Sequence, residues 1–179
     1  MFESATYIEA MISRERPLIR ANFNLLVADK CLKTLATMPY KSNDLDNLID
    51  AFALFSAFVV AYGKLYVSGS AQETSLLNVD LFKGDPKGRE AHDLIMSFRH
   101  KVCAHDDEHP MIVAGVETQV AQTEIRIVHN MRLELPFGEL KNFSHALEVS
   151  KRALAKRADK ILSELERRSG KKAILQDRD

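Results

Sequence analysis

The sequence predicts a mainly α-helical, up-and-down bundle with a small antiparallel β-hairpin inserted before the last long helix. Apolar residues recur at helical spacing along most of the 179 residues. The period changes to two in one segment, residues 124–135, which is typical of a half-buried strand. Prolines and capping residues mark the ends of the helical segments. We expect a single domain over residues 1–179, because the chain is about one domain long.

Composition and charge narrow the class of protein. Lys plus Arg and Asp plus Glu each number 25, so the chain lacks the global basic field of a dedicated duplex-DNA binder. The two cysteines, Cys31 and Cys103, have no metal-like spacing and indicate small buried side chains in a reducing compartment. The N-terminal residues lack a signal-peptide core. We therefore expect a cytoplasmic protein.

The first two helices are predicted on either side of a proline. One covers about residues 4–13, and Pro17 opens a second that runs to about Met38 and stops before Pro39. In the second helix the apolar residues that we expect on one buried stripe are Ile19, Phe23, Leu26, Leu32 and Leu35.

The third predicted helix is the most apolar one. Asn43 is its expected N-cap, with Asp46 three residues later. Its apolar run, residues 51–62, falls short of the roughly 20 residues that cross a bilayer, so we expect a buried core helix and no membrane contact. A loop to Gly84, with a short helical turn, separates it from a fourth helix that begins at Asp85–Pro86.

A β-hairpin is predicted at about residues 111–135. Residues 111–116 are the expected partner of the strand at 124–135, with the turn region in between. Because an isolated hairpin is marginally stable, we expect it to rest on the bundle. The side chains expected to face the core are Ile125, Ile127, Met131, Leu133 and Leu135.

The last helix is predicted from about Phe137 to Arg168, and residues 170–179 are expected to form a mobile tail. One face of this helix is apolar and the other is charged, with several cations on successive turns. Such a face is an ordinary solvated surface, or a phosphate track if RNA is the ligand. The residues of this predicted RNA-binding face are Lys151, Arg152, Lys156 and Arg157.

The end of the fourth helix carries the most distinctive pattern. Arg99 is followed by His100 and Lys101, and His105 lies six residues after the arginine, with Asp107 close behind. This pattern resembles the HEPN superfamily, whose motif is an arginine, four to six residues and a histidine. The stand-alone bacterial relatives add a lysine and an Ala-His-x-Asp ending.

A second, looser resemblance to those relatives lies at Phe58–Tyr66. Where they carry an Arg-Pro-Phe-like element, this chain has Gly63-Lys64-Leu65, which departs from that pattern. The resemblance covers residues 45–107.

The resemblance implies a HEPN-like bundle, a homodimer and, in catalytic members, metal-independent RNA cleavage. Arg99 and His105 are then the expected catalytic residues, supported by His100, Lys101 and Asp107. A histidine with an ordinary pKa can deprotonate a ribose 2′-hydroxyl, and an arginine can neutralise charge on the phosphate. No metal and no cofactor are expected.

Two other interpretations of the same segment stay open. In the first, His105 is a core histidine and Arg99 pairs with Asp106 or Asp107, so the protein is a non-catalytic module that binds RNA or a regulatory protein partner. In the second, a metal-dependent hydrolase uses the acidic and histidine residues at 105–109, although adjacent positions do not share a helix face.

Overall fold

Four α-helices pack around a common core in the residues that the computed structural model describes, 15–41, 44–67, 76–104 and 111–172. The predicted helix at residues 4–13 lies outside them. The helices are α1 (Glu15–Thr37), α2 (Leu45–Gly63), α3 (Pro86–Ala104) and α4 (Leu140–Ser169). A hairpin of β1 (Ile112–Val120) and β2 (Ile125–Leu133) joins α3 to α4, and short 3-10 turns lie at Val79–Phe82 and Phe137–Glu139. The predicted fold class is confirmed.

Aromatic side chains fill the centre of the bundle. Helix α1 packs on α2 and α4, and α3 packs on the same two helices. Phe58 of α2 stacks on Phe143 of α4 with ring centroids 5.8 Å apart, and Phe55 meets Phe98 of α3 edge-on at 5.2 Å. Burying rings of this size is the largest contribution to the stability of such a core.

Helix α2 is the central helix that the sequence predicts, but its cap is one residue later than expected. Asp44 is the N-cap, and its Oδ1 accepts a hydrogen bond from the backbone N–H of Asn47 at 3.2 Å. Asn43 lies outside the described residues. Of the described helices, α2 alone is long and apolar enough to cross a membrane. This is weak evidence for a membrane span, because the core helix of a soluble protein meets the same criterion of length and composition.

The start of α3 agrees with the prediction from Asp85–Pro86. Asp85 Oδ1 accepts a hydrogen bond from the backbone N–H of Gly88 at 3.0 Å, as an N-cap does. Its other oxygen lies 2.7 Å from Nε2 of His145, on α4. The Gly88 N–H and then His145 hold the pKa of Asp85 below its usual value. The cap therefore also ties α3 to α4.

The predicted buried face of α1 is wrong for its first three residues. Ile19, Phe23 and Leu26 are 64%, 65% and 61% exposed. The buried stripe lies on the opposite side of the helix because two sets of residues have helical spacing, and the set containing small alanines faces the core. Its members are Leu18, Ala21, Leu25, Ala28, Leu32 and Leu35.

The hairpin has the predicted position and pairing direction, but its outer part does not rest on the bundle. Ile125 and Ile127 were expected in the core and are 67% and 64% exposed. Leu135 does pack against the core, whereas the side chains of Met131 and Leu133 lie outside the described set. Strand β1 is longer than predicted, because residues 117–120 of the expected turn belong to it, whereas β2 is shorter at both ends than the predicted strand at 124–135. The turn is closed by the backbone bond from Ala121 N–H to Glu124 O at 2.8 Å.

Candidate functional site

Arg99 lies on α3, and its side chain runs across the end of α2. A Cβ built on Gly63 would overlap Arg99 Cδ, so the arginine occupies space that only a glycine leaves open. Arg99 Nε is buried, and it makes no hydrogen bond within the described part of the chain. Since buried polar atoms are normally bonded, this nitrogen is a donor that the fold itself does not use.

The two segments that carry the sequence resemblance meet at this contact. Gly63 belongs to the segment at 58–66, and Arg99 begins the segment at 99–107. Ser56, two turns before Gly63 on the same helix face, has the other buried side-chain atom without a hydrogen-bond partner among the described residues. The α2–α3 seam therefore holds two polar atoms that the described structure leaves unsatisfied.

Gly63→Ala tests this close approach. With Arg99 present, we expect the substitution to lower the free energy of unfolding by about 1–3 kcal/mol, because the new methyl group displaces the arginine stem. In an Arg99→Ala background the overlap is gone, and the better helix propensity of alanine should make the change neutral or stabilising by up to about 1 kcal/mol.

Denaturant unfolding of the four proteins measures this coupling. Gly138→Ala is the matched control, because nothing lies within 4 Å of a Cβ at that glycine. Equal effects of Gly63→Ala in both backgrounds would contradict the contact.

The remaining residues of the predicted catalytic segment divide into two groups. His100 and Lys101 are exposed on the last turns of α3. His105 and Asp107 follow the end of the helix at Ala104 and lie outside the described residues, as do Asp106 and the other residues of the metal interpretation. Within the described residues, no group of three or more His, Cys, Asp or Glu side chains is placed to hold a metal ion.

The predicted RNA-binding face of α4 is partly engaged in holding the bundle together. Lys151 Nζ lies 2.6 Å from Asp29 Oδ1 of α1 and 2.7 Å from Glu148 Oε1. Partial burial opposes its charge, but these two carboxylates outweigh that effect and raise the pKa of Lys151. Arg157 donates to the backbone oxygen of Leu76. Arg152 and Lys156 are exposed, and Arg152 Nε also donates to the backbone oxygen of Glu148 at 3.4 Å.

A buried polar cluster lies between α2, α3 and α4, and the sequence analysis did not identify it. The Tyr62 hydroxyl is 3.0 Å from Nδ1 of His92, and the Tyr66 hydroxyl is 2.6 Å from Oγ of Ser150. Ser150 in turn donates to the backbone oxygen of Ala146 at 2.8 Å. The signal that could have found the cluster is the spacing of the two tyrosines, which are four residues apart.

Burial controls the protonation of this cluster. It lowers the pKa of His92 to about 4 and raises the pKa values of both tyrosines. His92 is 5% exposed and Ser150 is fully enclosed. The cluster is therefore neutral near pH 7 and closed to a polymeric substrate, which indicates a structural role.

Comparisons with models of protein families, with curated proteins and with solved structures found no match.

Proposed function

We propose that this protein is a cytoplasmic, metal-independent endoribonuclease that acts as a homodimer, with Arg99 and His105 as its catalytic residues. The observation that supports the proposal is the position of Arg99 and its Nε, which is unpaired in the described part of the chain. Its stem is held over Gly63, and its Nε has no hydrogen-bond partner among the described residues. A buried donor without a partner is unusual in a residue that serves only the fold, and Arg99 as a whole is partly exposed, so the proposal assigns the outer nitrogens of its guanidinium to a phosphate.

The proposed reaction is an internal transfer of the phosphate. His105 removes the proton of a ribose 2′-hydroxyl, and the 2′-oxygen attacks the adjacent phosphorus. The bond between phosphorus and the 5′-oxygen breaks, and the leaving 5′-oxygen takes a proton from water, to which His105 then returns the proton that it removed. The guanidinium of Arg99 stabilises the additional negative charge on the phosphate oxygens. The products are an RNA with a 2′,3′-cyclic phosphate and an RNA with a 5′-hydroxyl.

The sequence spacing of Arg99 and His105 is the reason that the proposal includes two copies. Six residues along an α-helix correspond to about 9 Å of rise and some 240° of rotation. Helical spacing continued from Arg99 to His105 would direct the two side chains to different sides. A two-fold dimer that brings this region of both chains together supplies one cleft with two arginines and two histidines.

The experiment that tests the reaction uses a short single-stranded RNA with the purified chain in EDTA. We expect cleavage to leave a 2′,3′-cyclic phosphate, identified by mass spectrometry. A 2′-deoxynucleotide at the cleaved position should stop the reaction there, because the nucleophile is missing. Cleavage that persists at the deoxy position, or that EDTA abolishes, would contradict the mechanism.

The exposed cations of α4 give a separate expectation for RNA binding. Arg152→Ala and Lys156→Ala should each weaken binding of single-stranded RNA and reduce the slope of log K against log salt concentration by about 0.7. Lys87→Ala, an exposed cation at the start of α3, is the control and should leave the slope unchanged. Titrations at several salt concentrations measure this, and an unchanged slope in both α4 variants would remove this face from the binding site.

A non-catalytic binding module is the second candidate function. It is favoured by the exposed outer half of the hairpin, where apolar side chains such as Ile125 and Ile127 have no cover in the described structure. Exposed apolar surface of this kind is typical of protein–protein contacts. In that function Arg99 binds a partner or RNA without cleavage.

A further inference from the structure

The outer half of the hairpin, residues 115–127, stands away from the bundle, and we refer to it as the arm. Every residue in it is exposed. Among the described residues its two strands pair only with each other, so both strands are sheet edges. A two-stranded sheet without further packing is marginally stable in water, and an uncovered apolar edge invites association.

One face of the arm is apolar and the other is polar. The pairing of Val120 with Ile125 and of Thr118 with Ile127 places three apolar side chains on the same face as Thr118, and the alternation along β1 adds Val116 as a fourth. These four, 64–76% exposed, are Val116, Val120, Ile125 and Ile127. The opposite face carries Glu117, Gln119 and Arg126. The arm thus has the pattern of a sheet with a covered face, but the described chain does not cover it.

Helix α1 has a second apolar surface that the described part of the chain leaves uncovered, which we call the α1 stripe: Ile19, Phe23 and Leu26. These residues are 61–65% exposed and share one side of the helix. The stripe is about 10 Å long at 1.5 Å per residue, and the apolar face of the arm from Val116 to Val120 is about 13 Å long at 3.3 Å per residue. The two surfaces match in length and in chemistry.

We propose that two copies of this chain exchange arms, so that the apolar face of each arm packs on the α1 stripe of the other copy. The exposed fractions of these seven side chains correspond to about 900 Å². Two reciprocal contacts then bury roughly 1,800 Å², which lies within the range of a standard protein interface. Two arms packed face to face bury only about 1,000 Å², the lower limit for a specific interface.

This inference rests on the proposed homodimer but not on its ribonuclease activity. It names the surfaces that hold the two copies together, while Arg99 and His105 would carry the reaction. Both contact surfaces are exposed in the single chain, so substitutions there leave the core residues in place.

The test is sedimentation velocity of the full chain at 10–50 µM, with circular dichroism to show that each variant is folded. We expect a dimer for the wild type and at least a tenfold higher dissociation constant for both Ile127→Glu and Phe23→Glu. The matched controls are Gln119→Glu, on the polar face of the arm, and Asn22→Glu, next to the α1 stripe, and both should stay dimeric. Mixing Ile127→Glu with Phe23→Glu should restore a dimer, since one of the two reciprocal contacts is then wild-type on both sides.

Three results would overturn the inference. If neither variant raises the dissociation constant of the dimer, other surfaces hold the dimer together, and the proposed function stands. A dimer that is weakened by Ile127→Glu but not by Phe23→Glu is formed by two arms. A wild-type chain that is monomeric throughout this range contradicts the arm exchange together with the dimeric nuclease.

Discussion

Arg99→Gln is expected to lower the rate of RNA cleavage about 100-fold or more while the protein stays folded and dimeric. Glutamine keeps most of the stem that packs over Gly63, but it removes the charge that stabilises the phosphate in the transition state. The measurement is the initial rate of cleavage of a single-stranded RNA, with the melting temperature recorded in parallel.

Two further variants separate the charge of Arg99 from its shape. Arg99→Lys keeps a positive charge but loses the planar fork, so we expect partial activity. Arg89→Gln is the matched control, because Arg89 lies on the same helix and pairs with Asp93 at the surface. If Arg99→Gln cleaves RNA at an unchanged rate, or if it fails to fold, we would conclude that Arg99 has a structural role.

Acidification from pH 7 to pH 4 is expected to remove about 3 kcal/mol of stability through His92 alone. Burial lowers the pKa of this imidazole to about 4 from an ordinary 6.5, so the unfolded chain takes up its proton first. The folded protein therefore carries no penalty above pH 6.5, and the penalty grows as the pH falls towards 4. The cause is that burial deprives a charged imidazole of its hydration in the closed cluster.

Urea unfolding at several pH values measures this effect. In His92→Gln, unfolding should take up one proton fewer between pH 6.5 and 4, so the free energy of unfolding should fall less steeply with pH. His100→Gln, at an exposed position, should leave this slope unchanged. Titration of the His92 ring by NMR tests the same claim without relying on a variant. An imidazole that titrates near 6.5 in the folded protein would contradict it.

Local sequence signals were sufficient for the four described helices and for the position of the hairpin. Asp85 before Pro86 marked the start of α3, and the alternation after Glu124 marked β2, because capping and period depend on neighbouring residues. The buried face of α1 could not be chosen in this way. Ile19 and Leu18 belong to two stripes with the same spacing, and only the packing of α1 on α2 and α4 decides between them.

The candidate site was predictable only in part. The Arg99 segment was recognised from its own residues, but its contact with Gly63 joins positions 36 residues apart and depends on how α2 meets α3. The same holds for His92, which bonds to Tyr62, and for Lys151, which bonds to Asp29. Single-sequence patterns do not encode such long-range pairs, so a lysine predicted to contact RNA proved to pair with a carboxylate of the fold.

The composite site of the proposed dimer is tested most directly by mixing two inactive variants. Arg99→Gln and His105→Ala should each be inactive as homodimers. After subunit exchange, a heterodimer holds one wild-type Arg99 and one wild-type His105 in the shared cleft. We predict that the mixture recovers about a quarter of the wild-type rate, because about half of the dimers are mixed and each has one of two sites. A mixture that exchanges subunits and remains as inactive as its components would contradict a site built from two copies.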